Sequence, residues 1–150
     1  MACFARALSQ EGEAALLAID QAHVSQFGGE VLVQRSSLSF FERTGHAFTA
    51  FNDDQVVGFV VAQAIFNGTR PTVFVSRLAV HYEDTEVADQ ALELLVETVT
   101  KSAYDAAVYD LLWHVPARDE KLQRVLAKNQ YDKCETYVYE RVLGSRGQSR

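Results

Sequence analysis

Four histidines and two cysteines are the side chains of this 150-residue chain best suited to chemistry, and their spacing limits what they can do. His23, His46, His81 and His114 lie far apart and form neither an HxH nor an HExxH pattern, so there is no metal-ligand motif. Cys3 and Cys134 make no CxxC pair, which leaves a disulfide framework, a structural zinc site and a conventional iron–sulfur cluster unsupported. The nucleophile elbow GxSxG and the Walker-type phosphate loop are both absent. Asp110 and His114, at i and i+4, fall on one face of a strand, where a carboxylate could orient an imidazole base. The same spacing also describes an ordinary solvated strand face.

The elements that must position these residues are readable from periodicity. Residues 3–8 (CFARAL) make a short strand, and Ser9 is placed to cap a helix over 13–27 whose Leu16, Ile19, His23 and Phe27 form one stripe. Gly28-Gly29 ends that helix, since glycine takes the left-handed conformation at little cost. Ser39-Phe40-Phe41-Glu42 matches a capping box and predicts a short helix closing at Gly45. Residues 47–51, 56–62 and 71–80 then read as three antiparallel strands, joined by Asn52-Asp53-Asp54 and Asn67-Gly68. The near-continuous apolar run at 56–62 fits a strand covered on both faces.

Residues 85–103 carry Ala88, Ala91, Leu92, Leu95, Val99 and Ala103 at helical spacing, with Asp84 or Thr85 as cap. Strand 107–115, a helix over 119–128 and a closing strand or strand pair over 131–143 follow. A helix between the strands at 71–80 and 107–115 implies one parallel crossover in an otherwise antiparallel sheet. The expected fold class is α/β (α+β): a mixed, mostly antiparallel sheet of 6–7 strands with about four helices, in one domain over residues 1–150, with 143–150 a frayed tail.

Composition excludes several function classes. Apolar residues at 48% supply enough mass for a core, and a net charge of −6 without a dense Lys/Arg stripe argues against a nucleic-acid partner. No apolar run is long enough for a membrane span, and the start Met1-Ala2-Cys3-Phe4 shows no signal peptide, so no membrane partner and a cytoplasmic location are expected.

The order and lengths of these elements resemble the GNAT N-acetyltransferase superfamily over roughly residues 3–143. The most telling stretch is VVGFVVAQAIFNGTRPTVFVSRLAV, residues 56–80, where Gly58 and Leu78-Ala79-Val80 match the family's third strand and the "LaV" end of its fourth. The closing LQRVLAKNQYDKCETYVYERVL also looks like the family's last helix and strands. More narrowly, the chain resembles small Deinococcus–Thermus-type proteins grouped as a domain of unknown function with a GNAT-like fold. The resemblance implies acetyl-CoA as cofactor in a cleft between the fourth and fifth strands. Its pantetheine arm would run along Leu78, Ala79 and Val80, and its pyrophosphate would sit on the helix start at Thr85, Glu86, Val87 and Ala88, where free amides attract an anion.

The chain departs from the family at two landmarks. In place of Gln/Arg-x-x-Gly-x-Gly/Ala it reads HYEDTEVADQA, with Glu83, Asp84, Glu86 and Asp89 crowding the helix start. Those carboxylates suit the apo helix, yet each would cost an approaching pyrophosphate on the order of 1 kcal/mol or more. At the second landmark, Asp119, Leu126 and Gln130 stand where the family has Asn, the proton-donating Tyr and Gly. Candidate replacements for that acid are Tyr137 and Tyr139, with Tyr131 a third tyrosine on the same stretch. His114, and Glu42 and His46 near the implied acceptor site, are candidates for the base or for substrate binding. Arg77 either binds an anionic group in the cleft or pairs with a neighbouring acid.

Three readings remain open: acyl transfer from acetyl-CoA to a small-molecule or peptide amine, a non-catalytic GNAT-fold domain that binds a ligand or protein, and a different enzyme using the same cleft. The closing strand, with Tyr137, Val138 and Tyr139, is also a candidate for edge pairing in a homodimer.

Overall fold

The apolar run at 56–62 becomes the middle of a five-stranded sheet in the computed structural model, which describes residues 3–144. The elements are β1 (Phe4–Ala7), α1 (Glu13–Phe27), α2 (Arg35–Glu42), β2 (Phe48–Asn52), β3 (Gln55–Phe66), β4 (Pro71–Val80), α3 (Thr85–Asp105), β5 (Leu111–Trp113) and α4 (Glu120–Lys128). Sheet order is β1-β2-β3-β4-β5, antiparallel as far as β4 and parallel between β4 and β5, with α3 as the crossover. This is the GNAT-like α+β arrangement.

Each sheet face carries its own apolar layer. On one face α3 lays Leu95, Val96 and Val99 on Val57, Val60, Val73 and Val75, with Leu122 and Leu126 of α4 behind them. On the other, Leu16 and Ile19 of α1 and Leu38 of α2 cover Phe59, Val61 and Ala79. Gly58 permits the close approach of α3: a Cβ there would lie 2.9 Å from the Ala79 carbonyl oxygen and 3.2 Å from Leu95 Cδ1.

A bulge in β4 sets which way its side chains face. Val61 pairs with Arg77 and Ala62 with Val75, so Ser76 is an extra residue opposite that step. Before the bulge Val73 and Val75 pack on the α3 side; after it Leu78 and Val80 do, and Ala79 joins the α1 side. The bulge therefore turns Arg77 toward α1, away from the apolar α3 layer.

Four expectations are corrected. Residues 131–143 form no strand, so the sheet has five strands among the described residues rather than six or seven. Their alternating pattern meets no edge within the chain, and alternation without a ladder is not a strand. The fifth strand is confined to Leu111–Trp113 because the residues before it close α3: Ala107 and Val108 donate to the carbonyls of Tyr104 and Ala103 at 3.0 and 2.9 Å. Helix α2 begins at Arg35, ahead of the expected Ser39 cap, because the Gln34 amide donates to Ser37 Oγ at 2.9 Å, while Ser39 Oγ accepts from Gln10 Nε2 at 2.7 Å. Ser9 does not cap α1; its hydroxyl accepts the Glu11 amide at 3.2 Å in a turn that precedes Gly12. Most of the expected frayed tail, 145–150, lies outside the described residues.

Candidate active site

β4 and β5 pair only over residues 73–75 and 111–113, and the last rung is the His114 amide donating to the Val75 carbonyl at 3.0 Å. Beyond it the two chains part. Ser76, Arg77 and Leu78 line one wall of the resulting cleft, and His114, Val115 and Pro116 the other. The end of α1 borders it with His23, Phe27, Gly28 and Gly29, leaving a half-open cleft of about 190 Å³. Gly28 and Gly29 both have positive φ, 85° and 92°, which lets the chain turn off the helix against Arg77.

The polar centre beneath this cleft is a buried ion pair. Arg77 Nη1 donates to Asp20 Oδ1 at 2.8 Å and to the Glu30 carbonyl at 2.8 Å. Asp20, wholly buried, uses Oδ2 to accept the amides of Leu32 and Val33 at 2.6 and 2.9 Å. One carboxylate thus ties α1, β4 and the segment after Gly29 together. His23, one helical turn further along α1, is buried against Phe27 with ring centroids 5.1 Å apart. Burial, reinforced by the nearby Arg77 charge and partly opposed by Asp20, lowers its pKa to about 4, so the ring is neutral at pH 7.

Of the residues singled out by sequence, Arg77, Leu78 and His114 come together at the cleft. Arg77 takes the reading in which it pairs with an acid, while still forming part of the wall. Asp110 does not orient His114; its carboxylate accepts Arg70 Nε at 2.7 Å, and the His114 ring stands 5.9 Å from that of Phe74. His46 is held elsewhere, with Nδ1 2.9 Å from Ser102 Oγ near the end of α3, and burial lowers its pKa. Glu42 is an exposed residue at the end of α2. Tyr137 and Tyr139 are 88% and 94% exposed and line no part of the cleft. Tyr131 is packed instead, its ring edge-on to Trp113 and its hydroxyl 2.7 Å from Thr100 Oγ1. Asp20 and the cleft role of His23 escaped sequence reasoning, although Leu16, Asp20, His23 and Phe27 share one helical stripe and a carboxylate on an apolar stripe needs a buried partner.

The implied cofactor region divides into two parts. Along residues 76–80 the edge of β4 that faces the cleft has no strand beside it, because β5 ends at Trp113. An extended chain of amides could pair there, so Leu78, Ala79 and Val80 fit a pantetheine arm. The α3 start fits a pyrophosphate poorly: Asp84 Oδ1 already accepts the Glu86 amide at 3.0 Å, and Glu83, Thr85, Glu86 and Asp89 are exposed around it. Val87 and Ala88 are half-buried, and the Val87 carbonyl accepts the Cys3 thiol at 3.7 Å. Among the described residues no group of histidine, cysteine or carboxylate side chains could hold a metal ion, and no helix is long and apolar enough to cross a membrane.

A family profile described as "Protein of unknown function (DUF1999)" matches residues 20–150. The chain belongs to the DUF1999 family. Its crystal-structure relatives include TTHA1254 from Thermus thermophilus, 31% identical, with a TM-score of 0.77 over 95% of this chain and 99% of that one. The DUF1999 chain also shares its fold with ribosomal-protein-alanine N-acetyltransferase from Brucella melitensis biovar Abortus 2308, at 15% identity and a TM-score of 0.71, covering 95% and 100% of the two chains. A predicted acetyltransferase with acetyl-CoA from Clostridium acetobutylicum matches at 11% identity and a TM-score of 0.68, over 93% and 96%. Comparison with curated proteins gives no significant match.

Proposed function

We propose that this protein binds an acyl-CoA, most simply acetyl-CoA, in the cleft between β4 and β5 and transfers the acyl group to a small-molecule or peptide amine. The observation that carries the reading is the unpaired edge of β4 at residues 76–80, beside a half-open cleft that Ser76, Arg77 and Leu78 line, on a fold shared with acetyltransferases. Acetyl-CoA, when bound, supplies an activated thioester. The chain's own residues would then bind and orient: β4 amides align the pantetheine, and Phe27 and Leu78 shield the acyl end from water.

His114 is the exposed titratable side chain on the cleft wall, and we assign it the proton lost by the attacking amine. His23, with its pKa near 4, is a weak base and serves as a neutral hydrogen-bonding wall. Arg77 keeps Asp20 neutralised and the α1 end in place.

A second reading has its own support. Asp84 occupies a helix-start amide that a phosphate would use, and Leu126, in the place of the family's proton donor, is buried in the α3-side core. Both favour a non-catalytic domain that binds a ligand or protein through the same fold. Thermal melting with millimolar acetyl-CoA, with CoA as control, separates the two. A ligand at a hundred times its Kd stabilises by about 2.7 kcal/mol, so binding should raise the melting temperature by several degrees. No shift with either compound counts against acyl transfer; a shift followed by thiol release with an amine panel supports it.

A further inference from the structure

Two polar groups on the wall of the β4–β5 cleft are left without partners. His23 is 8% exposed and lines the cleft, yet among the described residues neither of its ring nitrogens has a hydrogen-bond partner. Its ring is neutral at pH 7, so it offers one N–H donor and one acceptor. Arg77 Nη1 donates to Asp20 and to the Glu30 carbonyl, which uses both of its hydrogens, and Nη2 has no partner among the described residues. Nη2 lies against Gly29, where a Cβ would come within 3.4 Å of it. Among the described residues Trp113 Nε1 alone is a side-chain nitrogen or oxygen both sealed from solvent and unpartnered. The free groups of His23 and Arg77 therefore open to the cleft that both residues line.

The wall carries donors and no acid. None of its residues is Asp or Glu, and the Asp20 carboxylate behind it is engaged at both oxygens. Glu30 lends its carbonyl to Arg77 and is not part of the wall. Arg118 stands close to the α1 end of the cleft, its Nη2 donating to the Gln26 carbonyl at 3.3 Å. In a chain of net charge −6, such a wall favours an anion. Asp20 already balances the Arg77 charge, so a singly charged group suits the site better than a phosphate. A carboxylate only accepts, and its two oxygens can meet Nη2 and the imidazole N–H together. At about 190 Å³ the cleft is smaller than the ~300–1,000 Å³ of sites for drug-sized ligands, so the occupant is small. We infer that Arg77 and His23 form a carboxylate subsite, and that the acceptor is a small amine bearing a carboxylate, an amino acid in the simplest case. His114 on the opposite wall is then left for the amine. The subsite stands by itself; naming its occupant as the acceptor rests on the acyl-transfer reading.

NMR titration of the labelled full chain with acetate, L-alanine and L-alaninamide tests it, since the last keeps the amine and lacks the carboxylate. Acetate and L-alanine should move the His23 ring and Arg77 guanidinium signals, and L-alaninamide should bind at least about tenfold more weakly than L-alanine. Arg77→Lys keeps a cation for Asp20 but has no second nitrogen, and His23→Phe keeps the ion pair and the ring. Each should weaken L-alanine binding about tenfold or more. Should Arg77→Lys fail to fold, His23→Phe carries the test. No shift with acetate or L-alanine overturns the proposal, as does equal binding of L-alaninamide or unchanged binding in His23→Phe. The two readings fail separately. Carboxylate binding without any melting shift from acetyl-CoA would remove acyl transfer and leave the subsite. Transfer to L-alanine and L-alaninamide with equal kcat/KM would leave acyl transfer and remove the subsite.

Discussion

The Asp20 carboxylate binds Arg77 through one oxygen and the Leu32 and Val33 amides through the other, so a single wholly buried side chain sets the distance between α1 and β4 under the cleft. Removing one member of a buried pair strands the other charge, at a cost of about 3–5 kcal/mol. Asp20→Asn should therefore lower unfolding stability by about that much. The double variant Asp20→Leu with Arg77→Met, which leaves no buried charge, should be less damaged than the sum of the single ones. Urea unfolding of the four proteins measures the coupling; strict additivity would mean that the pair contributes nothing jointly.

His23 makes stability depend on pH in a defined window. Its folded pKa, about 4, lies below the ordinary value of 6.5, so between those values the unfolded chain binds the proton that the folded one refuses. Stability is intact above 6.5 and falls as pH drops toward 4, by on the order of 3 kcal/mol from this residue. The burial of His46 acts in the same direction. Chemical denaturation at pH 7.5 and 4.5 should show the loss, and His23→Gln should shrink it; an unchanged difference would mean that His23 titrates freely in the folded protein.

Gly58 has no room for a methyl group. The contact at 2.9 Å is with a backbone carbonyl of the paired strand, which cannot rotate away, and α3 closes the space from above. Gly58→Ala should cost about 1–3 kcal/mol in thermal or urea unfolding. A wild-type melting temperature in this variant would show that α3 can lift off the sheet without loss.

At the α3 start, Asp84→Asn keeps a cap of similar quality and removes one negative charge. If the cofactor phosphates lie there, acetyl-CoA should bind roughly three- to tenfold more tightly. Equal affinity by calorimetry would move the phosphates away from this helix.

Much of the fold was legible because its signals are local. The hairpin turns at Asp53-Asp54 and Asn67-Gly68, the glycine stop at Gly28-Gly29 and the α3 stripe each act over a few residues, and each appears where the pattern puts it. The candidate site was less legible because its parts meet only in space. Asp20 and Arg77 are 57 residues apart, and nothing in either neighbourhood announces the other. Asp110 and His114 gave the opposite error: adjacent on paper, they serve different partners, because Arg70 reaches Asp110 first. Residues 131–143 carry a genuine strand pattern, but a pattern states only what a segment could pair with, not that a partner is within reach.

The extra residue at Ser76 gives β4 two phases in one strand. Up to Val75 the odd-numbered side chains are the greasy ones facing α3; from Leu78 the even-numbered ones are. A substitution at Ser76 would leave that arithmetic alone, and deleting it would fuse the two phases into one plain alternation, with Arg77 still toward α1 and Leu78 still toward α3; straightening the strand with every residue kept is what would swing the Arg77 guanidinium into the hydrocarbon layer. Inside and outside therefore stay sorted along β4 with or without this residue, so a related chain one residue shorter at this step would lose the local kink at the cleft wall and keep its faces.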